Sequence, residues 1–196
     1  MTKKIILAVA ALFMALAPSK DLNAQNQTNE DRLSMDNQKI LVAYFSHSGN
    51  TRTAATQIRE LLGGDILEIK TVHQYPEQYN AVLKEARQEL DSGARPELAA
   101  APADLGAYDA VFLGFPNWWG TMPMGVFTFL EQYDFAGKTI IPFCTHEGSR
   151  MGRSEADIRR LCPGATVLEG LPIRGNSVNN AGGDVADWLR RLGYLS

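Results

Sequence analysis

The 196-residue chain has room for one ordinary domain with a full core, and its 45% hydrophobic content is that of a globular protein. A formal net charge of -3, with no clustered Lys and Arg, excludes the basic stripe that tracks nucleic-acid phosphates. No second core, internal repeat or metal-ligand set stands out.

The N-terminus reads as a secretory leader. Lys3 and Lys4 precede an apolar run from Ile5 to Ala17, and a polar stretch ends in Leu22-Asn23-Ala24. The run is shorter than the roughly 20 residues a spanning helix needs, so the expectation is an exported, periplasmic or otherwise extracytoplasmic protein with no membrane span once residues 1–24 are removed. Residues 25–37, rich in Asn, Gln and Asp, suit a flexible leader, and residues 38–196 form the single folded domain.

From Lys39 onward two signals alternate. Short apolar runs at Ile40 to Phe45, Ile66 to Ile69, Ala110 to Leu113, Thr139 to Phe143 and Ala165 to Leu168 suit strands buried on both faces. Between them lie helical stripes: Ala54, Ala55, Ile58, Leu61 and Leu62, closed by Gly63-Gly64; then Val82, Leu83, Ala86 and Leu90, before Ser92-Gly93. A third helix opens at Pro123 and buries Val126, Phe127 and Leu130, and the last carries Val185, Trp188, Leu189 and Leu192. Five strands alternating with helices predict an α/β fold, a three-layer doubly wound parallel sheet with right-handed crossovers. The long link from Thr71 to Tyr108 reads as a crossover with its own helix and a Pro/Ala-rich loop, Arg95 to Pro102. In this arrangement Cys144 ends a strand and Cys162 ends the helix that runs back from it. A helix of about ten residues rises roughly 15 Å, beyond the roughly 7 Å that a disulfide spans, which predicts two free thiols.

In an open α/β sheet, ligands bind beyond the carboxyl ends of the strands. Three loops lie there. Ser46, His47, Ser48, Gly49, Asn50 and Thr51 follow the first strand and open the first helix, a setting in which main-chain amides and hydroxyls hold a phosphate, with Arg52 nearby; the other reading is a plain helix cap. Neither G-x-x-x-x-G-K-[ST] nor G-x-G-x-x-G is present, which excludes the triphosphatase and dinucleotide fingerprints. Pro116, Asn117, Trp118, Trp119, Gly120 and Thr121 follow the third strand, and two adjacent indoles cannot both face one core, so one lines a cleft or both pack on the surface. Thr145, His146, Glu147, Gly148 and Ser149 follow the fourth strand, with groups that can bond the edge of a heterocycle. His146 is the one candidate catalytic residue, as a proton relay, against the alternative of a solvated loop histidine.

Together these loops resemble the flavodoxin family. Ser46 to Thr51 are similar to its Thr/Ser-x-Thr-Gly-Asn-Thr phosphate signature, with Ser48 keeping the hydroxyl, and Trp119-Gly120 resembles the loop that stacks on the flavin ring. The resemblance covers the chain from Lys39 to the end, in the short-chain form. It implies the strand order 2-1-3-4-5 and FMN as cofactor. It also implies that residues 46–51 hold the phosphate, that Trp118 or Trp119 stacks, and that residues 145–148 flank the ring.

Two departures from the family pattern bear on the redox role. Thr121 stands where an acidic residue is common, and the third loop carries no aromatic. Less negative charge beside the ring raises the potential for full reduction, and a missing cover leaves one face open. Tyr75 and Tyr79 either close over that face or anchor the crossover. The expected function is electron transfer through bound FMN, with a redox partner protein or a small-molecule donor and acceptor. The alternative is an FMN-dependent NAD(P)H:quinone-type oxidoreductase, and a flavin-free binding module is the foil.

Overall fold

The computed structural model describes residues 38–100 and 104–196; the predicted leader, residues 1–37, and the 101–103 portion of the Pro/Ala-rich loop lie outside them. The elements run β1 (Ile40–Tyr44), α1 (Asn50–Leu62), β2 (Asp65–Glu68), α2 (Tyr79–Ser92), β3 (Ala110–Pro116), α3 (Met124–Gln132), β4 (Thr139–His146), α4 (Ser154–Leu161), β5 (Thr166–Val167), β6 (Leu171–Arg174) and α5 (Gly182–Arg191). All strand pairs are parallel, in the order β2-β1-β3-β4-β5, with β6 also on β4. This is the flavodoxin-like order expected from the resemblance.

The apolar runs become strands because both faces of the sheet are covered. Alternate residues enter two separate cores: Leu41, Ala43, Val111, Leu113, Phe115 and Ile140 pack against α3 and α4. Val42, Tyr44, Ala110, Phe112, Ile141 and Phe143 pack against α1 and α5. A strand apolar at every position satisfies both layers at once. Among the described residues no helix is long and apolar enough to cross a membrane.

The fifth strand differs from expectation. A single run over 165–168 was predicted, whereas pairing to β4 occurs at Thr166–Val167, stops, and resumes at Leu171–Arg174. Three edge residues, 168–170, pass two on β4, Ile141 and Pro142. Pro142 has no N–H to offer a ladder, and a Cβ at Gly170 would lie 2.6 Å from the Met151 terminal methyl and 3.0 Å from the Pro142 carbonyl oxygen. The break therefore sits where the central strand lacks a donor. Strands β3 and β4 are also longer than their apolar runs, so that Pro116, Thr145 and His146 are the ends of strands rather than loop residues.

Cys144 and Cys162 are both buried and free. Burial pushes the Cys144 thiol up to about 12 and the Cys162 thiol up to about 11.

Gly114, in the middle of β3, has no room for a side chain: an added Cβ would lie 2.2 Å from the Phe143 ring. Gly114→Ala is expected to destabilise the fold by about 1–3 kcal/mol, read as a lowered urea midpoint, because the Phe143 ring is held by the core around it.

Candidate functional site

The carboxyl ends of β1, β3 and β4 lie side by side, and their loops enclose a cleft of about 490 Å³. That size is ordinary for a small-molecule or cofactor site.

The first loop is shaped by Gly49, which caps α1 at φ 93, a left-handed conformation costly for any residue with a Cβ. The turn closes through Thr53 N–H to the Gly49 carbonyl (3.0 Å) and Arg52 N–H to Ser46 Oγ (3.3 Å). Among the described residues no acceptor takes the amide N–H of His47, Ser48, Gly49, Asn50 or Thr51. A run of open amides at a helix N-terminus is a donor set for an anion. His47, Ser48 and Asn50 line the cleft, whereas Ser46 and Gly49 shape the turn behind it. Thr51 is buried beneath the loop, where its hydroxyl meets that of Thr145 at 2.8 Å, so it ties the first loop to the end of β4. The expected help from Arg52 is not seen: its guanidinium pairs with Glu68 on β2.

The second loop is a tight turn. Trp118 and Thr121 exchange both main-chain hydrogen bonds (2.8 and 3.1 Å), with Trp119 at φ 54 and Gly120 at φ 83 between them. Such a turn favours Asn-Gly; a Trp at its first centre carries strain on the order of 1–3 kcal/mol. Arg150, at φ 53, is the other non-glycine residue with positive φ among the described residues, and it follows the third loop directly. Trp119 lines the cleft and Arg150 directly follows Ser149, which also lines it, and strain of this kind gathers at functional sites.

The two indoles have different tasks. Trp118 is half-buried among Phe45, Tyr75 and His47, with centroids at 5.5, 5.2 and 5.8 Å, all edge-on. Trp119 is 45% exposed, donates its indole N–H to the Leu83 carbonyl on α2 (2.9 Å) and lies under Arg87. Asn117 joins the loops: its amide N–H reaches the Thr145 carbonyl (2.8 Å), its side chain donates to the Arg150 carbonyl (2.7 Å), and it accepts from Gly120 N–H (3.0 Å). Thr121 is fully buried and donates to Asp157 on α4 (2.7 Å), so it stands behind the cleft wall and not against a ligand.

In the third loop, Thr145, His146, Glu147, Gly148 and Ser149 all reach the cleft. His146 is buried, and its Nδ1 accepts the Gly148 N–H at 2.9 Å, which leaves the neutral ring with its proton on Nε2. Burial, then the charges of Arg174 and Arg150, hold its pKa below the ordinary histidine value, against a smaller opposing effect of Glu147.

Further walls come from elements the loop motifs do not include. Tyr79, Val82 and Leu83 of α2 face the cleft, as does Gly175 after β6. An added Cβ at Gly175 would lie 2.4 Å from Glu147 Oε1 and 2.7 Å from Asn50 Nδ2. The helical stripe marked Val82 and Leu83 as apolar without showing that Leu83 lies off the buried line of Val82 and Ala86. Tyr79 is 67% exposed at the cleft, while Tyr75 takes the anchoring role, packed on Trp118 and donating to Glu89 (2.7 Å). Among the described residues no three His, Cys, Asp or Glu side chains gather to hold a metal ion.

Residues 39–192 match the family described as flavodoxin. The chain belongs to the flavodoxin family. A curated relative, an NAD(P)H dehydrogenase (quinone) of Gluconacetobacter diazotrophicus, is 35% identical over 147 residues, 68% of this chain and 71% of that one. Among solved flavodoxin-like structures, a candidate flavoprotein of Bacteroides eggerthii is 31% identical with a TM-score of 0.70, covering 79% of this chain and 98% of its own. A Lactobacillus acidophilus flavoprotein in complex with FMN, 22% identical with a TM-score of 0.60 and covering 74% and 99%, shares the fold.

Two predictions follow the site's geometry. Thr51→Val and Thr145→Val each leave one buried hydroxyl without its partner and are expected to cost about 1–3 kcal/mol, while the double variant costs less than their sum, in a urea-unfolding cycle. Because the folded-state pKa of His146 is depressed, its stabilising contribution is full above the ordinary value near 6.5 and is lost as pH falls through the folded pKa. The stability difference between the parent protein and His146→Asn should therefore shrink on acidification from neutral pH.

Proposed function

We propose that the cleft holds FMN and that the protein moves electrons through it. One observation carries this reading: the open amides of His47 to Thr51 stand at one part of a cleft whose neighbouring wall is an exposed, turn-locked indole, Trp119. A monoester phosphate and a planar ring on one small molecule match both. The fit is sound in its donors as well, since these amides lack protein acceptors and no acidic side chain of the first loop repels a dianion. Amides 47–51, with the Ser48 hydroxyl, hold the phosphate; Trp119 covers the ring; and the third loop faces its polar edge. FMN bound there supplies one- and two-electron chemistry. The chain contributes a buried, neutral His146 whose Nε2–H is able to donate to a bound heterocycle.

A second reading has its own support. The third loop brings no aromatic side chain to the cleft, which leaves room for a second planar molecule, and the relative of 35% identity is an NAD(P)H dehydrogenase (quinone). In that reading hydride passes from NAD(P)H to a quinone-like acceptor. Steady NAD(P)H consumption with a soluble quinone alone selects the enzyme, whereas dependence on a protein reductase selects the carrier.

The cofactor assignment is tested by spectroscopy. Protein isolated without added flavin should be yellow or turn yellow with FMN; a protein that stays colourless defeats both redox readings. Ser48→Asp sets a carboxylate against the phosphate and should weaken FMN binding at least about 100-fold, because like-charge juxtaposition costs several kcal/mol. Unchanged affinity would refute the phosphate assignment.

A further inference from the structure

Helix α2 carries two stripes. Val82 and Ala86 form its buried line. A second line, offset from the first, runs through Tyr79, Leu83, Arg87 and Asp91, each one helical turn beyond the last, so that they follow one another along one side of the helix. Tyr79 and Leu83 line the cleft, and Arg87 does not.

This second line meets Trp119 at two points. The Leu83 carbonyl accepts the indole N–H at 2.9 Å, and the Arg87 guanidinium lies over the indole, 5.4 Å from its centroid. Arg87 is itself fixed one turn further on, its Nε–H donating to Asp91 Oδ2 at 2.8 Å. Because Trp119 borders the cleft and Arg87 does not, the guanidinium covers the face of the indole turned away from the cleft and leaves the other face to it. Trp119 has few other restraints. It is exposed, its backbone lies in the left-handed region at φ 54, and among the described residues no aromatic ring packs on it, whereas Trp118 packs with Phe45, Tyr75 and His47. An indole free to change rotamer has to be ordered each time a flat ligand binds against it, which costs affinity.

We infer that Arg87 is the positioning residue for this wall: its guanidinium, steadied by Asp91, and the Leu83 carbonyl clasp the Trp119 indole by face and edge, so that the cleft meets a planar ring with a surface already set. That the planar ring is the flavin's rests on the FMN reading; the clasp does not.

The clasp is tested in the flavin-free protein by the exchange of the Trp119 indole N–H with solvent, followed by NMR. Arg87→Met keeps the length and apolar cover of the side chain but removes its charge, and should speed that exchange about two- to fivefold, the worth of an exposed cation–π contact. Arg87→Lys restores a cation and should stay closer to the parent protein. The Trp188 indole N–H, bound to the Glu169 carbonyl from α5, is the internal control and should not change. Unchanged exchange at Trp119, an equal rise at Trp188, or a Lys variant no better than Met overturns the inference. Flavin affinity gives the second readout. Arg87→Met should weaken FMN and riboflavin alike, by about two- to fivefold, because the ring they share is what meets the wall. Unchanged affinity for both also overturns the inference, as does a loss confined to FMN, since the guanidinium would then act on the phosphate through its charge. A parent protein that binds neither flavin defeats the FMN reading, while the indole exchange still decides this one.

Discussion

Parallel pairing of β1, β3 and β4 is the constraint on which the rest depends. Tyr44 lies opposite Gly114, and Gly114 opposite Phe143; β3 then runs on to Pro116 and β4 to His146, so the three carboxyl ends share one edge of the sheet. Parallel strands have to return through crossovers on the faces, which consumes the apolar surface of the helices and leaves the carboxyl edge to polar loops. The site is thus a product of the sheet's direction before any loop residue is considered.

The loops at this edge brace one another. The Thr51–Thr145 hydroxyl pair spans from the first loop to the third, and Asn117 spans from the second to the third. Trp119 reaches the opposite way, to the carbonyl of Leu83 on the crossover helix. These ties hold two left-handed non-glycine residues in place, and a frame that tolerates such strain presents its donors preorganised. What these ties leave unpaired at this edge, among the described residues, is the amides of the first loop, the outer face of Trp119 and the Nε2–H of His146.

The fold was legible in the sequence because burial on both faces writes strands as continuous apolar runs, and one-sided burial writes helices as stripes. The interrupted fifth strand was less so, because its break depends on a proline in the neighbouring strand, a non-local cause that no window over 165–174 contains. Within the site, the loops stood out through their Ser, Gly, Asn and Trp content. Their inward and outward sides did not: Thr51 and Thr121 look like ligand-facing residues in a motif, and only the packing turns their hydroxyls toward Thr145 and Asp157. The walls from α2 and Gly175 went unread because they arrive from distant parts of the chain. Arg52 and Glu68 likewise meet only through strand pairing.

The two buried cysteines carry a consequence for how the molecule answers oxidants and reductants. Held almost wholly as thiols by the apolar core, they offer little nucleophile at neutral pH and gain no reactivity from a neighbouring cation strong enough to reverse that. Burial thus works against thiolate chemistry at both positions. A change in the surrounding thiol–disulfide poise thus finds no exposed thiolate on either side chain.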